Sequence, residues 1–297
     1  MISEYKCSDC PRKCNVIRRA DFPAGFCMSP SLPHIYRAAP HFGEEPCISG
    51  ERGSGAIFFS GCNLRCVFCQ NHEISRGTGG KQVTPHDLGD IMLRLRDEGV
   101  HNINLVTASH YVRPVAEALA GISLDIPVVW NSSGYESAEA LKMLEGLVQI
   151  YMPDFKYSDS VLAKNYSRAT DYPEVAEAAI KEMFRQRGSY TLDENGMLLS
   201  GVLVRHLILP GETENSMNVI DFIADSFPPR SVLFSLMSQY TPMPDCVNIP
   251  KLNRRVTEEE NEALIHYMKL RGIQDGFWQD TKSATDEMIP AFDLTGL

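Results

Sequence analysis

Three cysteines lie close together in the first quarter of this 297-residue chain, at Cys62, Cys66 and Cys69. Their C-x3-C-x2-C spacing lets three thiolates from one short loop converge on a single inorganic centre. Thiolates are soft ligands that select iron–sulfur clusters or zinc over magnesium or calcium. Three cysteines leave a four-iron cluster with one open iron, whereas a structural zinc site normally closes with a fourth ligand. The loop therefore predicts an open metal centre that binds a substrate or cofactor, with a zinc site completed by Cys47, His72 or a residue elsewhere as the alternative.

A second set of cysteines precedes the first. It comprises four residues in a C-x2-C-x3-C-x12-C pattern: Cys7, Cys10, Cys14 and Cys27. Four thiolates close a tetrahedral zinc site, which can stabilise a module too small to have its own core. A second iron–sulfur cluster is the rival interpretation, since it can pass electrons towards the first, and four unliganded thiols are the weaker alternative. We predict a cysteine-rich metal-binding module over residues 1–50 and a core domain over residues 51–297.

The composition is that of a globular protein, with 28 Lys and Arg against 38 Asp and Glu and a formal net charge of −10. The negative field disfavours nonspecific binding to nucleic acid. The apolar runs fall far short of the roughly 18 residues of a membrane span, and the first residues lack the apolar stretch of a secretory signal. We therefore expect a cytoplasmic protein with no membrane partner, whose cysteines stay reduced and bind metal.

The elements that must position these cysteines follow residue 50, where β-rich apolar segments alternate with segments of helical period. Six strands are predicted, over residues 56–60, 102–107, 127–131, 149–153, 202–209 and 232–236. Each is followed by a helical pattern, which indicates parallel βα units. Thr84 and Thr257 have the sequence context of helix N-caps, and Asn195-Gly196 predicts a small hairpin. The α/β pattern suits either a partial barrel or a doubly wound sheet, and periodicity alone does not separate them.

The three-cysteine loop, with Phe68 before its last cysteine, resembles the signature of the radical S-adenosylmethionine (SAM) enzymes. The resemblance extends over residues 51–297 and is greatest to the branch related to pyruvate formate-lyase activating enzyme. It implies a [4Fe-4S] cluster on the three cysteines, with SAM chelating the fourth iron. It also implies reductive cleavage of SAM to a 5′-deoxyadenosyl radical that abstracts hydrogen, and an electron donor of the flavodoxin or ferredoxin type. The implied fold is a partial (βα)6 barrel of the TIM type.

Residues at the ends of the second and third strands match positions where the family holds SAM. Thr107 and Ser109 follow the second strand, although the glycines that the family often has there are absent. Asn131 and Ser132 end the third strand, and Asn131 replaces an acid of the activating enzymes. Since that acid lies near a bound monovalent cation, its loss weakens the expectation of a cation site. Phe68 is counted with these residues as a predicted SAM contact.

Three later positions complete the set of predicted SAM contacts. Asp154 and Lys156 are two apart on a strand, so they project from the same face and can address one ligand, with an exposed ion pair as the alternative. Arg205 interrupts an apolar strand, and a buried guanidinium needs an anion, either SAM or an end-of-strand carboxylate. Tyr240 follows the sixth strand at a position where the activating enzymes have a SAM-contacting histidine.

Two features distinguish the chain from authentic glycyl-radical activases. The segment 53–61 is shorter than theirs and lacks a basic residue, and their ferredoxin-like insert is missing. We predict a radical SAM oxidoreductase, similar to [formate-C-acetyltransferase]-activating enzyme, that abstracts hydrogen from a protein or peptide. A small-molecule or nucleotide substrate is the alternative. A zinc-stabilised binding protein without redox chemistry is the alternative from another class.

Overall fold

The computed structural model describes residues 4–279 and 290–297. The strands among these residues are β1 Tyr5–Lys6, β2 Ile17–Arg18, β3 His34–His41, β4 Ser54–Phe59, β5 Lys81–Gln82, β6 Ile103–Val106, β7 Val128–Ser132, β8 Ile150–Pro153, β9 Thr191–Leu192, β10 Leu198–Leu207, β11 Leu233–Met237 and β12 Gly276–Trp278. The α-helices are α1 Pro46–Ser49, α2 His72–Ser75, α3 Pro85–Asp97, α4 Val112–Ala120, α5 Ala138–Met143, α6 Ser160–Ser167, α7 Tyr172–Arg187, α8 Thr213–Ser226 and α9 Glu258–Leu270. None of these helices is long and apolar enough to cross a membrane.

Parallel strands form most of the main sheet, whose order is β12-β11-β10-β8-β7-β6-β4-β3-β5. From β4 to β12 every neighbouring pair is parallel, whereas β3 and β5 are antiparallel additions at one edge. β5 and β12 stand at opposite ends of this order, so the described sheet is open. The fold is therefore a partial TIM-type barrel. The prediction of an α/β partial barrel is confirmed, and its six strands correspond to β4, β6, β7, β8, β10 and β11.

The predicted N-caps Thr84 and Thr257 are confirmed by their hydrogen bonds. Asp87 donates its backbone N–H to the Thr84 hydroxyl (3.1 Å), and its carboxylate accepts from the Thr84 N–H (2.9 Å). Thr257 and Glu260 make the same reciprocal pair at the start of α9. Such a cap satisfies backbone donors that the first helical turn leaves unpaired.

The long connection between β8 and β10 ends in the predicted hairpin. Gly196 adopts a φ of +78°, which a side chain disfavours, and β9 pairs antiparallel with the start of β10. β10 then continues past Gly201 to pair in parallel with β8. The prediction places the start of this strand at residue 202, whereas β10 begins at Leu198. The additional residues at its start pair with β9 in the hairpin rather than with the barrel strands.

The segment before residue 50 is divided between two sheets. β1 and β2 form a separate two-stranded sheet that carries the first cysteines, whereas β3 pairs along its length with β4 of the barrel. Cys47, on α1, and Cys246 are buried. The predicted domain boundary at residue 50 stays a prediction, and the strand before it is part of the main sheet.

Candidate functional site

A cavity of about 480 Å³ lies at the carboxyl ends of the parallel strands. Its volume falls within the range of roughly 300–1,000 Å³ that is typical of small-molecule and cofactor sites. Ten residues predicted from sequence line it: Cys62, Cys66, Phe68, Cys69, Thr107, Asn131, Ser132, Asp154, Lys156 and Arg205. The fold therefore brings the three-cysteine loop and the ends of four strands to one place.

The loop after β4 is fixed by contacts on both sides. Gly61 has a φ of +80°, and the Asn63 amide donates to the Tyr135 carbonyl (2.8 Å). The Val67 N–H donates to the Tyr166 carbonyl (2.9 Å), and the Phe68 ring lies with its centre 6.2 Å from that of Tyr157. These contacts hold the three thiols against the cavity.

The electrostatics of the three thiols fit a cationic centre. Burial raises the pKa of Cys62 to about 12, and the thiolates of Cys69 and Cys66 raise it as well. Burial, followed by the Cys66 thiolate, also raises the pKa of Cys69. Three thiolates crowded in this way destabilise one another unless positive charge lies between them. The donor set thus suits a thiolate-bound metal centre.

A charge network forms the opposite wall of the cavity. The Arg205 Nε donates to Asp154 Oδ1 (3.1 Å), and Arg205 Nη2 donates to Asn131 Oδ1 (2.6 Å). Lys156 Nζ donates to the other oxygen of Asp154. Burial favours a neutral carboxyl at Asp154, but the cations of Lys156 and Arg205 outweigh it and lower its pKa. The Asp154–Lys156 ion pair is mostly buried, with 16% of each side chain exposed.

Glu44 is a member of this network that the sequence analysis missed. Its carboxylate accepts from Arg205 Nη1 (2.8 Å) and from the Asn131 side-chain amide (3.0 Å). The carboxylate of Glu44 therefore lies beside Asn131, the residue that replaces an acid of the activating enzymes. The adjacent Glu45 is also buried, and its Oε2 accepts no hydrogen bond from the described residues. Burial raises the pKa of Glu45 despite the nearby Arg205 guanidinium.

The fold places two of the predicted SAM contacts elsewhere. Ser109 is buried, and its hydroxyl donates to the Glu136 carboxylate. The Tyr240 hydroxyl donates to the Leu252 carbonyl (2.7 Å), and its ring packs behind Phe68 with their centres 6.1 Å apart. Neither residue is among those that line the cavity.

The family model of the radical SAM superfamily matches residues 56–223. The chain belongs to the radical SAM superfamily. This confirms the resemblance recognised in the cysteine loop, and the superfamily implies a [4Fe-4S] cluster and SAM. An uncharacterized protein of Methanocaldococcus jannaschii is 28% identical over 273 residues, which cover 87% of this chain and 73% of that protein.

Solved structures add a likeness of fold. SuiB of Streptococcus suis, bound to its precursor peptide SuiA, matches with a TM-score of 0.50 and 13% identity over 77% of this chain. The match spans 49% of the SuiB chain. A domain of pyruvate-formate lyase-activating enzyme from Bacteroides vulgatus is a more distant structural match, with a TM-score of 0.38, 14% identity, and coverage of 66% of this chain and 91% of that one.

Proposed function

We propose that Cys62, Cys66 and Cys69 hold a [4Fe-4S] cluster in the 480 Å³ cavity and that SAM binds beside it. The observation that carries this proposal is the shared cavity: three thiols face polar strand-end residues across a space of cofactor size. When bound, the cluster and SAM supply one-electron cleavage of SAM and hydrogen abstraction from a substrate. The residues of the chain bind and orient the reactants.

The charge network suits the amino-acid moiety of SAM. Burial alone would lower the pKa of Lys156, but Asp154 and then the Cys66 thiolate raise it, so the ammonium stays charged and can bind a carboxylate. The Oε2 of Glu45 lies 4.0 Å from Arg205 Nη1 but accepts no hydrogen bond from the described residues, so it can accept one from an ammonium group. Thr107 and Ser132 add side-chain hydroxyls for polar groups of SAM. Arg205 holds Asp154 and Glu44 in place between these groups.

We propose that the substrate is a protein or peptide that presents one narrow group to the cavity. A cluster and SAM together would occupy most of a cavity of about 480 Å³, so a large substrate must remain at its mouth. Phe42 and Trp278 line the cavity and are 62% and 46% exposed, which forms an aromatic rim. Aromatic residues are enriched at protein-recognition surfaces. A one-electron donor of the flavodoxin or ferredoxin type would supply the electron.

Anaerobic reconstitution with iron, sulfide, SAM and dithionite tests the SAM chemistry. The wild-type chain should release 5′-deoxyadenosine, and Cys66→Ala should lose both the release and the part of the iron–sulfur absorbance that belongs to the three-cysteine loop. Cys47→Ala is the matched control, because Cys47 is buried outside this cavity and should keep both. Absence of release from a chain with a verified four-iron cluster would refute the proposal, as would release that persists in Cys66→Ala. Zinc without iron would indicate a binding protein instead.

The substrate class is tested by deuterium transfer into 5′-deoxyadenosine. A peptide deuterated at glycine should transfer its label, and Phe42→Ala should reduce that transfer while release of unlabelled 5′-deoxyadenosine continues. Leu270→Ala is the control, because it removes an exposed apolar side chain that does not line the cavity. Transfer from a deuterated nucleoside or other small molecule, and from no peptide, would contradict a peptide substrate.

A further inference from the structure

The three-cysteine loop has an outer side that faces away from the large cavity. Among residues 61–69 only Arg65, Val67 and Cys69 are not buried, and of these only Cys69 lines the cavity. Arg65 adopts a φ of +58°, and its Nε is buried without a hydrogen-bond partner in the described part of the chain. The loop therefore holds a half-buried guanidinium on its outer side, one residue before Cys66.

The N-terminal cysteine segment brings a second guanidinium to the same side. Arg12 Nε donates to the Asn63 carbonyl in the loop (2.9 Å), and its Nη2 donates to the carbonyl of Ser167, the last residue of α6 (2.9 Å). The centre of the Phe26 ring lies 3.9 Å from the guanidinium carbon of Arg12 and 5.4 Å from that of Arg65. Carbonyls and an aromatic ring stabilise a cation without neutralising it, so both guanidinium groups keep their charge at this surface.

Three exposed cations lie next to this pair. Lys13 follows Arg12 and borders the same small cavity, and Lys164 and Arg168 are four residues apart at the end of α6. We call the five residues the basic face: Arg12, Lys13, Arg65, Lys164 and Arg168. In the part of the chain that the structure describes, none of the five pairs with a carboxylate, whereas the nearby Arg76 pairs with Asp245.

The acidic residues beside the basic face are engaged elsewhere. Asp159 caps α6 by accepting from the N–H groups of Val161 (2.6 Å) and Leu162 (2.8 Å), where the helix dipole is positive. Asp171 accepts from the Tyr135 hydroxyl (2.7 Å). The basic face is therefore a positively charged area on a chain whose formal net charge is −10. Val161 adds an apolar contact, since it is 63% exposed and lies one helical turn before Lys164.

The position of the basic face relative to the cluster limits what it can serve. The cluster of the proposed function must gain one electron to cleave SAM, and SAM and the substrate occupy the cavity side of the loop. An electron that enters from the other side has only the loop backbone to cross, since Arg65 adjoins Cys66. Complementary charge steers two proteins together and raises their association rate.

We propose that the basic face is the docking surface of an acidic one-electron carrier protein that reduces the cluster. This inference rests on the proposed function and deepens it, because it assigns the partner to one side of the loop and the substrate to the other. It also gives the N-terminal segment a role through Arg12 and Lys13, whichever metal its cysteines bind.

Binding of an oxidised acidic ferredoxin to the full chain tests the docking surface without SAM chemistry. The double variant Lys13→Glu, Lys164→Glu should weaken binding by about tenfold at low ionic strength, measured by anaerobic isothermal titration calorimetry. The control Arg52→Glu, Lys142→Glu makes the same change in net charge at exposed residues before β4 and at the end of α5, and it should bind nearly as wild type does. Absence of binding by wild type, unchanged binding by the first variant, or equal weakening in both variants would overturn the proposal.

Release of 5′-deoxyadenosine under two reductants tests the electron path. Lys13→Glu, Lys164→Glu should lose about tenfold in release driven by limiting reduced ferredoxin, and salt should narrow the difference from wild type. With dithionite, a small reductant that needs no docking surface, the variant should match wild type. An equal loss with both reductants, or loss of label transfer from the deuterated peptide with dithionite, would contradict the assignment. If wild type with a verified four-iron cluster releases nothing under either reductant while the binding difference is present, the proposed function fails and the docking surface is retained.

Discussion

Glu136 carries a buried carboxyl group whose titration should be visible in the stability of the protein. The residue is 3% exposed, follows β7, and accepts a hydrogen bond from the Ser109 hydroxyl. Burial raises its pKa from 4.5 to about 7, although the hydrogen bond from Ser109 opposes the shift. The neutral acid is therefore the form that the folded protein prefers.

The direction of the pH dependence follows from the protons bound by each state. Between pH 4.5 and about pH 7 the folded protein keeps a proton on Glu136 that the unfolded chain has lost. The free energy of unfolding therefore falls as the pH rises through this window. At 1.36 kcal/mol per pKa unit, the full effect is at most about 3 kcal/mol.

Glu136→Gln removes this titration and keeps a neutral side chain of the same size. We expect the stability of the variant relative to wild type to increase by about 2–3 kcal/mol between pH 5 and pH 8. Urea unfolding of both chains under anaerobic conditions at the two pH values measures it. Loss of bound metal on unfolding affects both chains alike, so it cancels in the comparison.

Glu262→Gln is the control for this experiment, since Glu262 lies exposed on α9. Its stability relative to wild type should be nearly the same at pH 5 and pH 8. If Glu136→Gln and wild type give unfolding free energies that change in parallel with pH, Glu136 is ionised in the folded protein and the reasoning from burial is wrong.

Three other substitutions have defined outcomes. Arg205→Gln leaves buried carboxylates without their guanidinium and should cost about 3–5 kcal/mol in urea unfolding, part of which Glu44→Gln should recover. Gly61→Ala should destabilise the chain by about 1–3 kcal/mol more than Gly99→Ala: both have positive φ, but only at Gly61 would the Cβ meet neighbouring atoms. Tyr240→Phe removes a hydroxyl that donates to a backbone carbonyl outside the cavity. It should lower the free energy of unfolding by about 1 kcal/mol, measured by thermal unfolding. The dissociation constant of SAM, measured by equilibrium dialysis, should not change.

The strands, the capped helices and the three-cysteine loop could be predicted because their signals are local. Thr84 caps α3 through a residue three positions away, and the period of apolar residues marks each buried strand. The position of the loop after β4 then follows from the fold class, because parallel strands carry their ligand sites at their carboxyl ends. Local sequence pattern and family resemblance together predict ten of the residues that line the cavity.

The remaining parts of the site depend on contacts between distant segments. Glu44 reaches Arg205 across 161 residues, and no spacing rule relates the two. Ser109 carries a hydroxyl suited to SAM, yet the nearby buried Glu136 accepts that hydroxyl instead. A polar side chain at a strand end is directed by the nearest buried partner, and the sequence does not identify that partner.

The segment 61–64 links the two cysteine sets in a way that their separation in sequence conceals. Gly61 must stay without a side chain because Cys27 and Ser29 pack against its backbone. Asn63 lines a small cavity together with the four N-terminal cysteines, whereas Cys62 and Leu64 line the large one. Any displacement of the N-terminal cysteines therefore acts on the backbone that carries Cys62. Close-packed interiors transmit such displacements rather than absorb them. A substitution in the segment 61–64 should therefore be checked for its effect on both cysteine sets before any loss of activity is assigned to one of them.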